Sequence, residues 1–282
     1  MTASPDLLVI GAGSMGAWTA FHGRRAGLST TLLDAYGAGH PRATSGDESR
    51  HIRAAHGPDE FYARWSRESL ADWTAFGAEW GVDLFVPCGV LWFAGRPDGF
   101  EAASEVTLGG LGIPTERLSP SQIEQRWAAV RADGLAFALL EPEAGVLRAR
   151  RGVRATVEAF VREGGRFGLA AARPGRSAGR RLEEVVDQAG VRRSAGVFVF
   201  ACGPWLPRLF PDVLGDVIRV TKQDVLFFGP AGGDERFGPE ALPAWVEYDA
   251  AFYGIPTIDD RGVKAGPDRD RKSTRLNSSH RL

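Results

Sequence analysis

Apolar and polar residues are grouped into blocks at the start of the chain, and the blocks have the lengths expected of a β-α-β unit. The short apolar run Asp6–Ile10 predicts a buried parallel strand. A helix-compatible stretch follows at Ala17–Ala26, and Gly27 is a natural stop just beyond it. The β-branched and apolar run Ser29–Leu33 predicts a second strand, which closes on Asp34.

The rest of the chain alternates between helix-like and strand-like patterns. Aromatic residues at helical spacing across Phe61–Trp80 form an apolar stripe, which we interpret as core packing rather than as an aromatic ligand box. Ser119 before a proline is typical of a helix start, and Arg151–Glu163 predicts another helix. The arginine-rich stretch Arg173–Arg181 lacks interleaved aromatic residues, so we interpret it as a solvated hairpin loop rather than as a nucleic-acid patch.

A glycine-rich turn, G-x-G-x-x-G, joins the first strand to the first helix. Gly11 permits a tight turn, Gly13 lets the backbone approach a pyrophosphate, and Gly16 permits close packing of helix and strand. The helix N-terminus supplies amide donors for phosphate, and Asp34 can accept hydrogen bonds from both ribose hydroxyls. The unit predicts dinucleotide binding but does not separate NAD from FAD. The predicted contacts in the turn are Gly11, Ala12, Gly13, Ser14, Met15 and Gly16.

Composition excludes several other classes of protein. The 34 basic residues balance 35 acidic ones, which disfavours a nucleic-acid binder, and 44% hydrophobic residues disfavour a disordered chain. No apolar run is long enough for a membrane helix or a signal peptide. The five histidines show no metal-ligand spacing, and Cys88 and Cys202 form no disulfide framework. We therefore expect a cytoplasmic protein without a metal site.

The end of the chain differs in composition from the rest. The basic residues are 31 Arg and only 3 Lys, and yet Lys272 and the single Asn, Asn277, both lie in the last thirteen residues. The segment Asp270–His280, DRKSTRLNSSH, equals the translation of a common sequencing-adapter stretch. We therefore predict that residues 270–282 are an artefact, that the natural sequence runs to about Arg269, and that it continues beyond the part given.

Five further segments carry a family resemblance. Gly46-Asp47 and the run from Ser49 to Arg53 match a G-D-T-R-x-x-R-like segment with one extra residue, and Gly89–Phe93 matches a G-V-L strand. The chain resembles the amine-oxidising flavoproteins of the D-amino-acid oxidase superfamily, in particular the branch of monomeric sarcosine oxidase and N-methyltryptophan oxidase. The remaining matches are a strand ending in a G-x-W turn at 197–205, a Y-Y-G-F-P-like run at 252–256 and a G-L-K-x-G-like run at 262–266.

The resemblance implies a cofactor and a set of site residues. FAD is the implied cofactor, Arg53 matches the arginine that grips the substrate carboxylate, and Arg50 matches an arginine close to the flavin. Lys264 matches the oxygen-activating lysine, and Tyr253 matches an active-site tyrosine. The implied cofactor contacts beyond the glycine turn are Asp34, Ser45, Ser49, Arg50, Gly203 and Trp205.

The resemblance also implies a two-domain fold. It is an α/β fold with a Rossmann-like FAD/NAD(P)-binding domain of the glutathione-reductase type and an α+β substrate domain built on an antiparallel sheet. We expect the FAD-binding domain at 1–84 and 145–215, and the substrate domain at 85–144 and 216–269. This sequence departs from the family pattern at two points. The position of an active-site histidine in the family falls near Asp268 here, and the segment that carries the covalent flavin cysteine in relatives lies beyond the chain.

The implied activity is an FAD-dependent oxidation of a secondary or N-methylated amino acid. Hydride would pass to flavin N5, and O2 would reoxidise the flavin to give H2O2. The expected partners are a small amine or amino acid and O2, without nucleic acid or membrane, and we expect a monomer. Two alternatives remain open at this point: an NAD-dependent dehydrogenase or imine reductase, because GAGSMG also occurs there, and an inactive nucleotide-binding fragment.

Overall fold

The computed structural model describes residues 4–267, which form two compact units. The first unit contains residues 4–48 and 149–220, and the second contains 49–148 and 221–267. Residues 49–84 and 145–148, which we expected in the FAD-binding domain, belong to the second unit, where the strand at 145–147 pairs with those at 50–52 and 85–86. The segment 270–282 lies outside the described residues, as does Asp268.

Helices and short 3-10 turns occur in both units. The 3-10 turns span Gly203–Trp205 and Glu235–Phe237. The helices are α1 Ser14–Arg25, α2 Glu60–Trp80, α3 Phe100–Gly110, α4 Pro120–Arg126, α5 Ala149–Arg162, α6 Leu206–Leu209 and α7 Pro211–Leu214.

The strands are mostly short, and the longest have five residues. They are β1 Leu7–Ile10, β2 Thr30–Asp34, β3 Arg50–Ile52, β4 Phe85–Val86, β5 Val90–Ala94, β6 Glu116–Leu118, β7 Phe137–Glu141, β8 Gly145–Leu147, β9 Arg166–Leu169, β10 Arg173–Pro174, β11 Ser177–Ala178, β12 Arg181–Leu182, β13 Val185–Val186, β14 Arg192–Arg193, β15 Val197–Phe200, β16 Leu226–Phe228, β17 Ala244–Glu247, β18 Phe252–Ile255 and β19 Val263–Pro267.

The first unit is built on a four-stranded parallel sheet in the order β15-β1-β2-β9. All four residues of β1 are buried, as the predicted apolar run requires, since a parallel strand is covered on both faces. Helix α1 begins at Ser14, three residues before the predicted start, because the last half of the glycine motif is already helical. It ends where predicted: Gly27 follows with a φ of 87°.

The second unit contains two sheets. The larger has the order β16-β19-β18-β17-β5-β7-β6, and a smaller antiparallel sheet has the order β3-β8-β4. The predicted antiparallel character holds for every neighbouring pair of the larger sheet except β5 and β17, which run parallel. Its core is formed by apolar residues of the central strands, among them Val90, Leu139 and Val246.

Of three further predictions, two are confirmed and one is wrong in part. Ser119 caps α4 with a full capping box, and Arg173–Arg181 forms exposed hairpin strands. The aromatic stripe of α2 is not core packing along its whole length. Phe76 is buried, but Phe61 and Trp65 are 55% and 56% exposed. Helical spacing brings these two rings together, with centroids 4.2 Å apart, on a half-exposed part of the helix.

Candidate active site

The glycine turn has the close backbone packing that the motif predicts. Gly11 has a φ of 104°, and a Cβ there would collide with the Ala201 carbonyl at the end of β15. A Cβ on Gly16 would collide with the Gly11 carbonyl, and one on Gly13 would lie 3.1 Å from the Ser45 hydroxyl. A side chain at any of these three positions would therefore collide with or crowd the neighbouring atoms of the turn. Such a tightly packed glycine turn is typical of a phosphate cradle.

The N-terminus of α1 suits an anion. Its first turn contains no acidic side chain, so no carboxylate of that turn competes with a bound anion for the positive end of the helix dipole. The Ser14 amide donates to the Ser45 hydroxyl at 3.0 Å, which brings Ser45 next to the turn as expected. Met15 is 77% exposed, so its side chain contributes little to the packing of the motif.

Asp34 holds two loops together at the carboxyl end of β2. The Ala12 amide donates to its Oδ2 at 2.7 Å, and the amides of Tyr36 and Gly37 donate to its Oδ1 at 2.7 and 2.9 Å. A carboxylate has about four acceptor positions. Asp34 is therefore first a clamp on the glycine turn, and about one position remains for a ribose hydroxyl.

The end of β15 completes the candidate cofactor site of the first unit. The Cys202 thiol donates to the Ile10 carbonyl at 3.3 Å, and Gly203 opens a 3-10 turn with a φ of 48°. Trp205 follows, and its ring lies 6.1 Å from Tyr36 and 6.2 Å from His40, centroid to centroid. Predicted residues from three strand ends thus meet at one edge of the parallel sheet. Sequence reasoning missed the two aromatic neighbours, because loop residues after a strand carry no periodic signal.

The second unit carries the predicted catalytic residues. Lys264 is 1% exposed, and its Nζ donates to the Ser49 carbonyl at 2.8 Å. The same Nζ lies 5.7 Å from the centre of the Tyr253 ring. β18 and β19 are antiparallel neighbours, which brings Tyr253 and Lys264 close together, and Ser49 directly precedes β3. The structure therefore groups Ser49, Tyr253 and Lys264.

His51 lies among these residues and was missed as a site residue. Its Nε2 is 3.0 Å from the Gly254 carbonyl, and its ring meets the Tyr253 ring edge to face at 5.6 Å. A carbonyl only accepts, so Nε2 carries the proton and Nδ1 is left as an acceptor when the ring is neutral. Burial, together with the positive charges of Arg53, Lys264 and Arg50, lowers the pKa of His51 to about 3. A histidine within an arginine-rich strand was the only sequence signal.

Arg53 is held against an aromatic ring. Its guanidinium carbon lies 4.8 Å from the centre of the Trp92 ring, and its Nη1 donates to the Ala55 carbonyl at 2.7 Å. Nη1 also lies 3.2 Å from Nε2 of His56, and burial together with the Arg53 charge lowers the pKa of His56 to about 4. Arg53 lines a mostly apolar cavity of about 190 Å³ whose walls include Ile52, Leu70, Ile113 and Pro114.

Two further findings concern the described residues as a whole. Among residues 4–267, no group of histidine, cysteine, aspartate and glutamate side chains has the arrangement of a metal site. In the same part of the chain, every helix is too short or too polar to cross a membrane.

The architecture defines the class of protein before any comparison. A parallel β-α-β sheet with a glycine cradle and a buried acid at the end of its second strand is the dinucleotide-binding fold. It is combined here with a second unit built on a mixed sheet.

The family described as FAD dependent oxidoreductase, DAO, matches residues 6–281, and the chain belongs to this family. The chain is 28% identical over 280 residues to the monomeric sarcosine oxidase of Streptomyces avermitilis, covering 96% of this chain and 70% of that protein. It is 30% identical over 266 residues to the peroxisomal sarcosine oxidase of Mus musculus, covering 92% of this chain and 66% of that protein. The chain thus spans about two thirds of the length of these relatives.

Solved structures show the same fold. L-proline dehydrogenase from P. horikoshii aligns with a TM-score of 0.77 at 15% identity, over 95% of this chain and 71% of that one. Fructosyl peptide oxidase from E. terrenum aligns with a TM-score of 0.76 at 22% identity, over 94% of this chain and 64% of that one. The chain is therefore an FAD-dependent oxidoreductase of the amino acid oxidase type, and the NAD-dependent alternative is set aside.

Proposed function

We propose that the protein oxidises a secondary or N-methylated amino acid at a carbon next to the amine nitrogen, giving an imine that water hydrolyses, with O2 as the electron acceptor. The observation that carries the proposal is the buried Lys264, one of 3 lysines in the chain, whose Nζ lies beside Ser49 and Tyr253. Burying a charged amine costs free energy, so a buried lysine points to a functional role. A fixed positive charge beside the flavin would stabilise the negative charge that develops on O2.

The residues of the first unit fit FAD. The glycine cradle at Gly11, Gly13 and Gly16 and the first turn of α1 would hold the pyrophosphate, and Asp34 would hold a ribose hydroxyl. When bound, FAD supplies the acceptor for the substrate's hydride and passes the electrons to O2, which leaves as H2O2. Arg50 is the residue that we assign to the negative charge of the reduced cofactor.

Arg53 is the proposed anchor for the substrate carboxylate. A planar guanidinium can bind a carboxylate through two parallel hydrogen bonds, and Trp92 already restrains its plane. The cavity that Arg53 lines has a volume of about 190 Å³. An apolar cavity of about 150 Å³ holds benzene in another protein, so this one has room for the apolar part of a small amino acid.

The positive charges of the second unit favour the reactive form of the amine. Arg53, Lys264 and Arg50 all lower the pKa of His51 through their charge. The same field lowers the pKa of a substrate amine bound near them, which keeps its nitrogen neutral. Removal of a hydride from the adjacent carbon requires that neutral form, because the nitrogen lone pair stabilises the developing iminium.

The proposed partners are one small amino acid or amine and O2, and the proposed state is a monomer. We place the enzyme in the cytoplasm, where the free thiols of Cys88 and Cys202 would stay reduced.

The test separates substrate oxidation from the reaction with O2. In stopped-flow experiments with the flavin-loaded chain and N-methyl amino acids, Lys264→Met should leave anaerobic flavin reduction within about threefold of the wild-type rate. It should slow reoxidation by O2 about 100-fold or more, because one preorganised charge is worth that much at a reacting centre. Lys222→Met is the matched control, since Lys222 is an exposed lysine paired with Asp224.

Two results would contradict the proposal. Unchanged peroxide formation in Lys264→Met would remove the lysine's role. A chain that binds no flavin, shown by the absence of yellow absorbance after desalting, would instead support the inactive fragment.

A further inference from the structure

Glu141 is a buried carboxylate that the proposed reaction does not use. It is the last residue of β7, the other four residues of which are apolar, and it is 2% exposed. Three donors surround it. The Ala54 amide donates to its Oε2 at 2.7 Å, and its Oε1 accepts from the Ala55 amide at 3.1 Å and from the Trp92 indole at 2.8 Å.

All three donors belong to residues that follow Arg53 in the chain or contact its guanidinium. Ala54 and Ala55 are the next two residues along the chain, and the Ala55 carbonyl is itself the acceptor for Arg53 Nη1. The Trp92 ring is the surface over which the guanidinium lies. One carboxylate therefore connects the backbone that follows Arg53 to the indole that restrains its head group.

We infer that Glu141 is a positioning residue for substrate binding: it fixes the Arg53 guanidinium in the orientation that receives the substrate carboxylate. The inference rests on the proposed function, because it gives Arg53 that role. It concerns how Arg53 is held, and Glu141 lines the same cavity as Arg53.

The hydrogen-bond geometry favours the ionised form of Glu141. All three neighbours donate, so a protonated carboxyl would turn an O–H toward a donor. Burial raises the pKa of Glu141 above its usual value, and the hydrogen bonds from Ala54, Trp92 and Ala55 and the charge of Arg53 offset only part of that rise. Its negative charge also compensates part of the positive charge of Arg53 in the substrate-free enzyme.

The first test is Glu141→Gln, which keeps the size of the side chain. A glutamine has one acceptor oxygen, so at least one of the three donors must face its NH2 group. We expect KM for N-methyl amino acids to rise about tenfold with kcat changed less than about twofold, because anchoring is lost and the reacting groups are not. KM for an N-methylamine that lacks a carboxylate should stay within about twofold. Glu116→Gln, in the neighbouring strand β6, is the control, since Glu116 pairs with Arg126 near the surface.

The second test is a double-mutant cycle with Arg53→Lys. If Glu141 acts through Arg53, the two substitutions together should raise KM for the amino acid little more than Arg53→Lys alone. A purely structural role would instead give effects that multiply and that also reach the carboxylate-free amine. Trp92→Phe gives an independent measurement, because it removes the indole donor and keeps a ring beneath the guanidinium. It should raise KM for the amino acid about threefold.

The outcomes distinguish a failure of the proposed Arg53 anchor from a failure of the positioning role of Glu141. If Arg53→Lys leaves KM for the amino acid unchanged, the proposed carboxylate anchor fails. If Arg53→Lys raises KM but the effects of Glu141→Gln are absent or independent, the anchor stands and the inference about Glu141 is refuted. Should Glu141→Gln not fold, an unchanged KM in Trp92→Phe refutes the inference.

Discussion

His51 should make the folded protein sensitive to mild acid, and His51→Gln should remove its share of that sensitivity. The folded state keeps the imidazole neutral, with a pKa lowered from 6.5 to about 3, because desolvation and the charges of Arg53, Lys264 and Arg50 disfavour its protonated form. Below pH 6.5 the His51 imidazole is therefore protonated in the unfolded chain, whereas in the folded chain it stays neutral until the pH approaches 3. The contribution of His51 to stability is fully present above pH 6.5 and is lost as the pH falls toward 3.

The size of the effect at pH 5 depends mainly on the unfolded state. With pKa values of 6.5 unfolded and about 3 folded, the free energy of unfolding falls by about 2 kcal/mol between pH 8 and pH 5. Any folded-state pKa below about 4 gives nearly the same value, because the folded state is then almost fully neutral at pH 5. His56, with a pKa of about 4, adds a similar loss that is common to wild type and variant.

Urea unfolding at pH 8 and pH 5 measures the effect. Glutamine can still donate to the Gly254 carbonyl but does not titrate near neutral pH. The loss of stability between the two pH values should therefore be about 2 kcal/mol smaller in His51→Gln than in wild type. His56→Gln is the matched comparison and should remove a loss of about the same size, and the two reductions should add. Equal losses in wild type and His51→Gln would refute the placement of a neutral His51 in this cationic cluster.

Two further predictions concern the glycine cradle and a helix cap. Gly16→Ala should abolish flavin binding, measured as yellow absorbance after desalting, because its Cβ would collide with the Gly11 carbonyl; Gly109→Ala, where a Cβ meets open space, should bind flavin normally. Ser119→Ala should lower the free energy of unfolding by about 1 kcal/mol in urea titrations, because it removes the capping box of α4, and an unchanged urea midpoint would show that the cap contributes nothing.

The local sequence determined the first unit's framework. The apolar run before Gly11, the helix that Gly27 ends and the acid at Asp34 all follow from patterns within some thirty residues. Such patterns are readable because buried strands, helix ends and glycine turns impose their requirements on neighbouring residues. The role of Asp34 as a clamp on three amides is different: it became visible only when the turn and the following loop were placed around it.

The aromatic stripe of α2 shows the limit of periodicity. Spacing places Phe61, Trp65 and Phe76 on a helix face, but which part of that face is covered depends on elements far away in the chain. Phe76 is buried, and Phe61 and Trp65 are exposed. In the second sheet, the parallel pairing of β5 with β17 joins strands about 150 residues apart, which no local pattern specifies.

The second unit's candidate site was therefore predicted as single residues and assembled only by tertiary structure. Family motifs pointed to Arg53 and Lys264 one at a time, whereas His51 and Glu141 had no motif to mark them. Packing between the two sheets of the second unit brings His51 to the Gly254 carbonyl across 203 residues and Glu141 to the Ala54 amide across 87. The sequence by itself determined which groups could do chemistry. The tertiary structure decided which of them lie close enough to share electrostatic interactions and hydrogen bonds. Desolvation and charge interactions depend on neighbours in space rather than on neighbours along the chain.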